Sequence, residues 1–441
     1  MATAKLSSNS QLGGASKGNS ELKQRLIFLI LAMIVYRICS HIPVPGINPG
    51  NLATLFNENQ SGLLGLMNLF SGGAVSRFSI VAIGITPYIT SSIVMQLAAV
   101  VVPSLEALKK EGQAGQRKIT QYTRYGTLGL ALIQAFFVAS SLQGQDPQVL
   151  QSGVSVLAIA VLTLVTGTMF LMWLGEQITE RGLGNGISLI IFTGIVSSLP
   201  SAISGFFEKV GSGQIGYFSS VLIILLAVAL IAFIVFVERA LRKIPINYAK
   251  RQVGNKVYGG QSSFLPLKLN MASVIPAIFA SSILLFPATI ANAMTSSTSV
   301  WLKDLAAELS PGKPLHLTLY VAAIVFFSFF YTALMFNSRD TSDNLKKSGA
   351  VIPGIRPGEQ TTRYLDKIIL RLTLIGAAYM AFVCVVPELM AAQWSSSLAF
   401  GGTSLLIIVV VAMDFMSQVQ SSMMSSQYES LMKKANFKGS K

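Results

Sequence analysis

The stretch YFSSVLIILLAVALIAFIVFV, residues 217–237, runs directly into ERALRK, residues 238–243. It holds no charged residue, and as a helix it extends about 30 Å, which is the thickness of a bilayer's hydrocarbon core. The basic cluster that ends it marks a cytosolic edge, because cytoplasmic loops of membrane proteins retain Lys and Arg. One span and its flank therefore propose both an environment and an orientation.

The rest of the 441 residues repeats the pattern. Apolar segments fall at 24–41, 77–102, 125–142, 154–174, 186–204, 217–237, 270–292, 316–336, 369–390 and 398–413. With a cytosolic N-terminus, 28 of the 33 basic residues lie in the two tails or in every second gap. Only Arg37, Arg77, Lys209, Lys303 and Lys313 lie elsewhere. The alternation predicts an all-α polytopic membrane protein with ten transmembrane helices and both termini inside.

Composition agrees, at 52% hydrophobic and 12% charged residues. The formal net charge of +15 would suggest nucleic acid in a soluble chain. Here twelve of the 18 acidic residues are also cytosolic, so that side carries +16 and the remainder −1. Such a face suits anionic lipid, ribosomal RNA or an acidic protein, although topology alone also produces it. Cys39 and Cys384 lie within spans, which argues against a disulfide and against a metal site. The first span follows Lys23 and Arg25 without a small-residue cleavage site behind it, so it reads as retained.

One external segment breaks the pattern. After HIPVPGINPG (41–50), the apolar run 62–70 is too short to cross and ends in Ser71-Gly72-Gly73. A re-entrant segment fits, and irregular backbone at membrane depth needs protein or a water-filled cavity around it. An amphipathic helix on the outer leaflet is the alternative. Spans one to five and six to ten can be overlaid with opposite orientation, an inverted-repeat relation that rests on topology alone.

Two cytosolic gaps are long and basic. The gap 238–269 carries Glu238, Arg239, Arg242, Lys243, Lys250, Arg251 and Lys256 among Tyr248, Val257 and Tyr258, and predicts a protruding hairpin. The gap 337–371 holds Pro353, Gly354, Arg356, Pro357 and Gly358, a rigid turn with one cation at its tip. Together they suggest a docking platform; solvated connectors are the plainer reading.

Catalytic signatures are missing from the sequence: it has no Walker loop, no HExxH and two His. Gly182-Leu183-Gly184-Asn185-Gly186 follows a membrane helix rather than a strand, so a nucleotide loop lacks its context. Span centres are nearly free of Asp, Glu, Lys and Arg, which disfavours a proton- or ion-coupled solute carrier, the rival reading. Sodium sites built from carbonyls keep that rival open. Ile85 and Ile89, like Ile187 and Ile191, are four apart and share a helix face. Spacing alone makes them lipid-facing or core residues.

Several stretches carry more. MFLMWLGEQITERGLGNGISLIIF (169–192), INYAKRQ (246–252), LPLKLNMASVIPAIFASSILLFPATI (265–290), FFYTALMFN (329–337), DNLKKSGAVIPGIRPGEQT (343–361) and GGTSLLIIVVVAMDF (401–415) closely resemble the SecY family of bacterial protein-conducting channel subunits. The resemblance runs in order along nearly the whole chain. It implies ten helices in two pseudo-symmetric halves, 24–204 and 205–413, forming an hourglass channel between a cytosolic tail at 1–23 and another at 414–441, with cytosolic loops at 238–269 and 337–368.

Positions matching the family's constriction are Ile85, Ile89, Ile187, Ile191, Ile278 and Ile407. A ring of χ1-stiff β-branched side chains would gasket a moving polypeptide and hold back ions through poor wetting. The re-entrant segment at about 62–76 matches the plug, with Gly62, Leu63, Leu64, Gly65, Leu66, Met67, Asn68, Leu69, Phe70, Ser71, Gly72 and Gly73 as its residues. Gln96 and Asn270 are candidate polar members of a lateral gate formed by spans two, seven and eight.

Arg239, Arg242, Lys243, Lys250, Arg251, Lys256 and Arg356 match docking loops for the SecA ATPase motor and the ribosome. SecE and SecG are the implied membrane partners. The expected function is a passive pore that moves unfolded secretory polypeptides across the bacterial cytoplasmic membrane and releases hydrophobic helices sideways into lipid. No cofactor, metal or catalysis is expected of it.

Overall fold

The computed structural model describes residues 13–48, 51–52, 68, 71–143, 150–151, 153–248, 251–253, 256–258, 262–294, 308, 313–394 and 402–438. For 13–20, 251–253, 256–258, 285–294, 391–394 and 426–438 it describes the backbone alone. Two compact units divide the chain, Met1–Pro200 with Val411–Lys441, and Ser201–Val410.

The first unit contains α1 (Gly13–Cys39), α2 (Thr86–Val101), α3 (Pro103–Lys110), α4 (Gln113–Gln143), α5 (Val154–Arg181) and most of α6 (Gly186–Gly211). Ala131, Ala135 and Ala139 on α4 are fully buried, while Leu132, Ile133 and Phe136 on the same helix stand exposed. Small residues let α4 approach α5 closely, and the large apolar side chains are left for lipid. The core of this unit gathers Leu52, Phe78, Leu150 and Leu164 with those alanines. Three buried hydroxyls are satisfied within their own helix: Thr123, Thr127 and Thr168 each donate to the carbonyl one turn back. A backbone in lipid has no water to offer instead.

The second unit contains the end of α6, α7 (Tyr217–Arg239), a strand segment, α8 (Ile275–Met294), α9 (Pro314–Met335), α10 (Ser338–Lys347), α11 (Glu359–Trp394) and the start of α12 (Gly402–Lys438). On α7, Phe218, Leu225 and Phe236 are widely exposed, as lipid-facing residues must be. After α7 come β1 (Leu241–Tyr248), β2 (Arg251–Val253), β3 (Lys256–Tyr258) and β4 (Ser262–Lys268). Strand β1 pairs antiparallel with β4 from Leu241↔Lys268 to Asn247↔Ser262, and β2 pairs with β3 at the tip, Arg251↔Tyr258. The expected hairpin is therefore present.

A further strand, β5 (Ala350–Val351), adds to the other edge of β1 through Asn247↔Val351 and Tyr248↔Ala350. The two long basic loops thus share one sheet of order β4-β1-β5. Beneath it Ile244, Leu267, Ile352, Leu365 and Ile369 form a small core.

Each of the ten apolar segments carries a helix, and among the described residues seven helices are long and apolar enough to cross a membrane. The pair α2 and α3 makes an eighth if it is one broken span, bent by 96°. Expected boundaries shift in physically readable ways. The span expected from 77 becomes helical only at Thr86, because Gly84 holds a left-handed φ of +68° and Pro87 fits only the first turn. Helix α4 begins at Gln113 rather than 125, and α12 continues past 413 to Lys438. Apolar length measures the hydrocarbon thickness, whereas a helix continues into water wherever its sequence permits.

Candidate functional site

Four of the candidate ring isoleucines belong to the first unit. Ile85 is the residue preceding α2, and its carbonyl accepts from the Ile89 amide at 3.1 Å, so the two stack one turn apart. Ile187 and Ile191 open α6, where the Asn185 side chain caps the helix by accepting from the Ile187 amide at 3.1 Å. Gly186 lies against the Gly175 carbonyl, an approach that no larger residue permits. Ile85, Ile89 and Ile191 are buried and Ile187 is half-buried. In the second unit Ile278 on α8 and Ile407 on α12 are buried.

Of the expected plug, Gly62, Leu63, Leu64, Gly65, Leu66, Met67, Leu69 and Phe70 lie outside the described residues. Asn68, Ser71, Gly72 and Gly73 belong to a tight turn. The Asn68 carbonyl accepts from the Gly73 amide at 2.9 Å, and the Asn68 side chain accepts from the Ser76 amide at 2.8 Å. Gly72 takes φ +66°, and a Cβ built there would sit 2.6 Å from Ser197 Oγ and 2.8 Å from the Gly194 carbonyl oxygen on α6. From α1, the Tyr36 hydroxyl donates to the Ser71 carbonyl at 3.1 Å, and Arg37 donates to the Gly72 carbonyl at 3.0 Å and to Ser197 Oγ at 2.8 Å. Sequence reasoning noted Arg37 only as a cation away from the cytosolic set.

The two lateral-gate candidates each bond within their own unit. Gln96 donates to Ser92 Oγ at 3.1 Å along α2. Asn270, 3% exposed, donates to Glu238 Oε1 at 2.7 Å and to the Ser273 carbonyl at 3.1 Å, tying the end of α7 to the turn before α8. Ser273 has φ +53°, an uncommon conformation for a non-glycine residue.

Of the docking candidates, Arg239, Arg242 and Lys243 are exposed at the end of α7 and the start of β1. Arg251 and Lys256 lie on β2 and β3, and Lys250 lies outside the described residues. Arg356 is exposed in a turn closed by the Ile355 amide donating to the Ile352 carbonyl at 3.1 Å. The Thr361 hydroxyl donates to the Arg356 carbonyl at 2.9 Å, and the Ser342 hydroxyl to the Gly358 carbonyl at 2.8 Å. This turn is braced from α10, β5 and α11. Among the described residues no group of three His, Cys, Asp or Glu could hold a metal ion.

Fold and residues define the class: a multi-pass helical membrane protein with a turn pinned beside its first span and a sheet-built basic projection. Residues 79–416 match the SecY family. A protein translocase subunit SecY of Pseudomonas aeruginosa is 58% identical over 423 residues, covering 96% of each chain. Its counterpart in Escherichia coli is 57% identical over 429 residues, covering 96% of this chain and 97% of its own. The chain belongs to the SecY family.

Solved structures share the fold at low identity. A SecY protein whose plug domain stabilizes the closed state of the translocation channel and maintains a membrane seal has a TM-score of 0.66 at 18% identity, covering 92% of this chain and 93% of that one. Sec61 in a canine ribosome-channel complex has a TM-score of 0.62 at 16% identity, with the same coverage.

Proposed function

We propose that this chain is the central pore of a bacterial protein translocase, conducting unfolded secretory polypeptides across the cytoplasmic membrane and releasing transmembrane segments sideways into lipid. The observation that carries the reading is identity near 57% to translocase subunits over 96% of the chain, joined to span centres nearly free of charged residues. An uncharged path gives a passing chain no fixed charge to stall on. The two halves of the channel are 24–204 and 205–413, and both termini are cytosolic.

Ile85, Ile89, Ile187, Ile191, Ile278 and Ile407 form the constriction in this reading. Apolar and stiff, they would close around a chain and dewet when empty. The segment at about 62–76 seals the external side, and Gln96 and Asn270 belong to the gate that opens toward lipid. The protein performs no chemistry; energy comes from the SecA motor, from translation or from the membrane potential. SecE and SecG complete the complex. Motor and ribosome dock on Arg239, Arg242, Lys243, Lys250, Arg251, Lys256 and Arg356. Arginine favours phosphate and carboxylate alike because its planar fork binds them bidentately.

Crosslinking tests the path. An arrested secretory chain should crosslink to each of the single substitutions Ile85→Cys, Ile187→Cys and Ile278→Cys, and not to Leu225→Cys on the exposed face of α7. Equal crosslinking at Leu225→Cys, or none at the three isoleucine positions, would remove the pore assignment.

A further inference from the structure

The basic gap 238–269 contains a single acidic residue, Glu238. It is half-buried on the last turn of α7, three residues before β1, and Asn270 stands two residues after β4. The stems of the hairpin close between them: Leu241 pairs with Lys268, and the Leu269 amide donates to the Ala240 carbonyl at 3.0 Å. Next to that closure the Asn270 side chain donates to Glu238 Oε1 at 2.7 Å and to the Ser273 carbonyl at 3.1 Å. Ser273 holds φ +53°, and such a residue persists where its surroundings over-determine it. One turn on, the Ile278 amide donates to the Val274 carbonyl at 3.2 Å as α8 begins. The hairpin, the strained turn and the start of α8 therefore share one knot of side chains.

Helix α11 forms the other wall of the knot. A Cβ built at Gly376 would lie 3.3 Å from the Leu269 carbonyl oxygen and 3.5 Å from Asn270 Cα. Tyr379, three residues further on, shares that face of the helix. Its ring meets Phe233 of α7 edge-on at 5.7 Å, which places it beside the helix that carries Glu238. Tyr379 is 6% exposed, and among the described residues its hydroxyl has no hydrogen-bond partner. The Glu238 charge acts on that hydroxyl. A buried donor left unmade beside a carboxylate calls for a reason, because it costs stability in the position observed.

We infer that Glu238 is a two-position latch and hence a positioning residue for α8: in this structure its carboxylate accepts from Asn270, and in a second position it accepts from the Tyr379 hydroxyl. The exchange slackens the hold of Asn270 on Ser273, so the strained turn relaxes and moves the first turn of α8 with Ile278. Both hairpin stems end on the knot, so a load on the hairpin drives the exchange. The carboxylate keeps a hydrogen bond in either position, which holds the two close in free energy. This inference rests on the reading of α8 as a constriction helix and of the hairpin as a docking surface.

The first measurement is a stability cycle on the full translocase complex in detergent, read as unfolding temperature. Tyr379→Phe keeps the ring against Phe233 and removes the hydroxyl alone. By itself it should leave the unfolding temperature at or slightly above the parent, since it deletes an unsatisfied group. In an Asn270→Ala background, which drives Glu238 to the second position, the same change should lower it by about 3 °C. Asn270→Leu serves as the background if Asn270→Ala fails to insert. Equal effects of Tyr379→Phe in the two backgrounds would show no coupling and overturn the latch.

The second measurement is motor-driven translocation of a precursor into membrane vesicles. Tyr379→Phe should slow it about tenfold while the affinity of the motor for the membranes stays parental. A parental rate would overturn the role of the exchange in transport even beside a coupled stability cycle. Two controls separate the underlying readings. No crosslink from an arrested chain to Ile278→Cys would remove α8 from the path, and parental motor affinity in Arg242→Glu with Lys243→Glu would remove docking from the hairpin; either result overturns the latch's role in transport with the reading beneath it. With both controls as expected, a failed Tyr379→Phe arm strikes the latch alone.

Discussion

Replacing Gly72 with Ala adds one methyl group at the point where the turn at 71–76 meets α6. The new Cβ would lie 2.6 Å from Ser197 Oγ, 2.8 Å from the Gly194 carbonyl oxygen and 2.9 Å from Gly194 Cα. Ser197 can rotate away, but Gly194 presents backbone inside a helix and cannot. Overpacking of that kind costs about 1–3 kcal/mol. Left-handed backbone at φ +66° adds about 1–2 kcal/mol for alanine that glycine does not incur. The low end of the sum, about 2 kcal/mol, shifts the seated-to-unseated ratio of the turn about 30-fold.

Purified Gly72→Ala complexes in a planar bilayer should therefore leak ions without substrate, while the protein reaches the membrane at the parental level. Conductance within a factor of two of the parent would show that the turn's seat on α6 does not govern closure. Normal levels make that reading decisive, since a misfolded chain would be cleared.

Further outcomes follow from other parts of the molecule. Ile278→Asn, and separately Ile187→Asn, should raise leak with folding intact, because wetting of a narrow constriction depends on the polarity of its lining; unchanged bilayer currents would remove these residues from the pore. Arg356→Glu reverses an exposed charge, so insertion and thermal stability should stay within about 0.5 kcal/mol of the parent. Motor-driven translocation should nevertheless fall to background, and a parental rate would make the turn an ordinary connector. Asn270→Ala leaves Glu238 without its 2.7 Å donor and should destabilise the second unit by about 1–3 kcal/mol, read as a lowered unfolding temperature in detergent. An unchanged unfolding temperature would show that this bond carries no load.

Membrane class, the apolar segments and the hairpin at 238–269 were legible because each rests on a local pattern: apolar length, charge alternation or β-branched content between glycines. Helix limits were not. The bend at Val102–Pro103 and the delayed start of α2 depend on backbone angles at Gly84 and on prolines, which hydropathy does not weigh. The isoleucine pairs were visible as helix faces, but assigning them to a constriction took family resemblance, since a core residue has the same spacing. Strand β5 is two residues long and joins a partner about 100 residues earlier, so no window of sequence signals it. Arg37 escaped for the same reason, its acceptors lying 35 and 160 residues away.

The shared sheet has a mechanical consequence. Strand β1 is held to β4 through seven residue pairs but to β5 through only two. A force applied at Arg356 reaches α11 directly along the chain, since that helix begins at Glu359, but it reaches β1 only through the two-pair seam. While the seam holds, part of the tension passes into β1 and on to the foot of α7. If it parts, the hairpin stays intact and α11 alone carries the pull. The β1–β5 seam is thus a fuse on the branch that leads to α7.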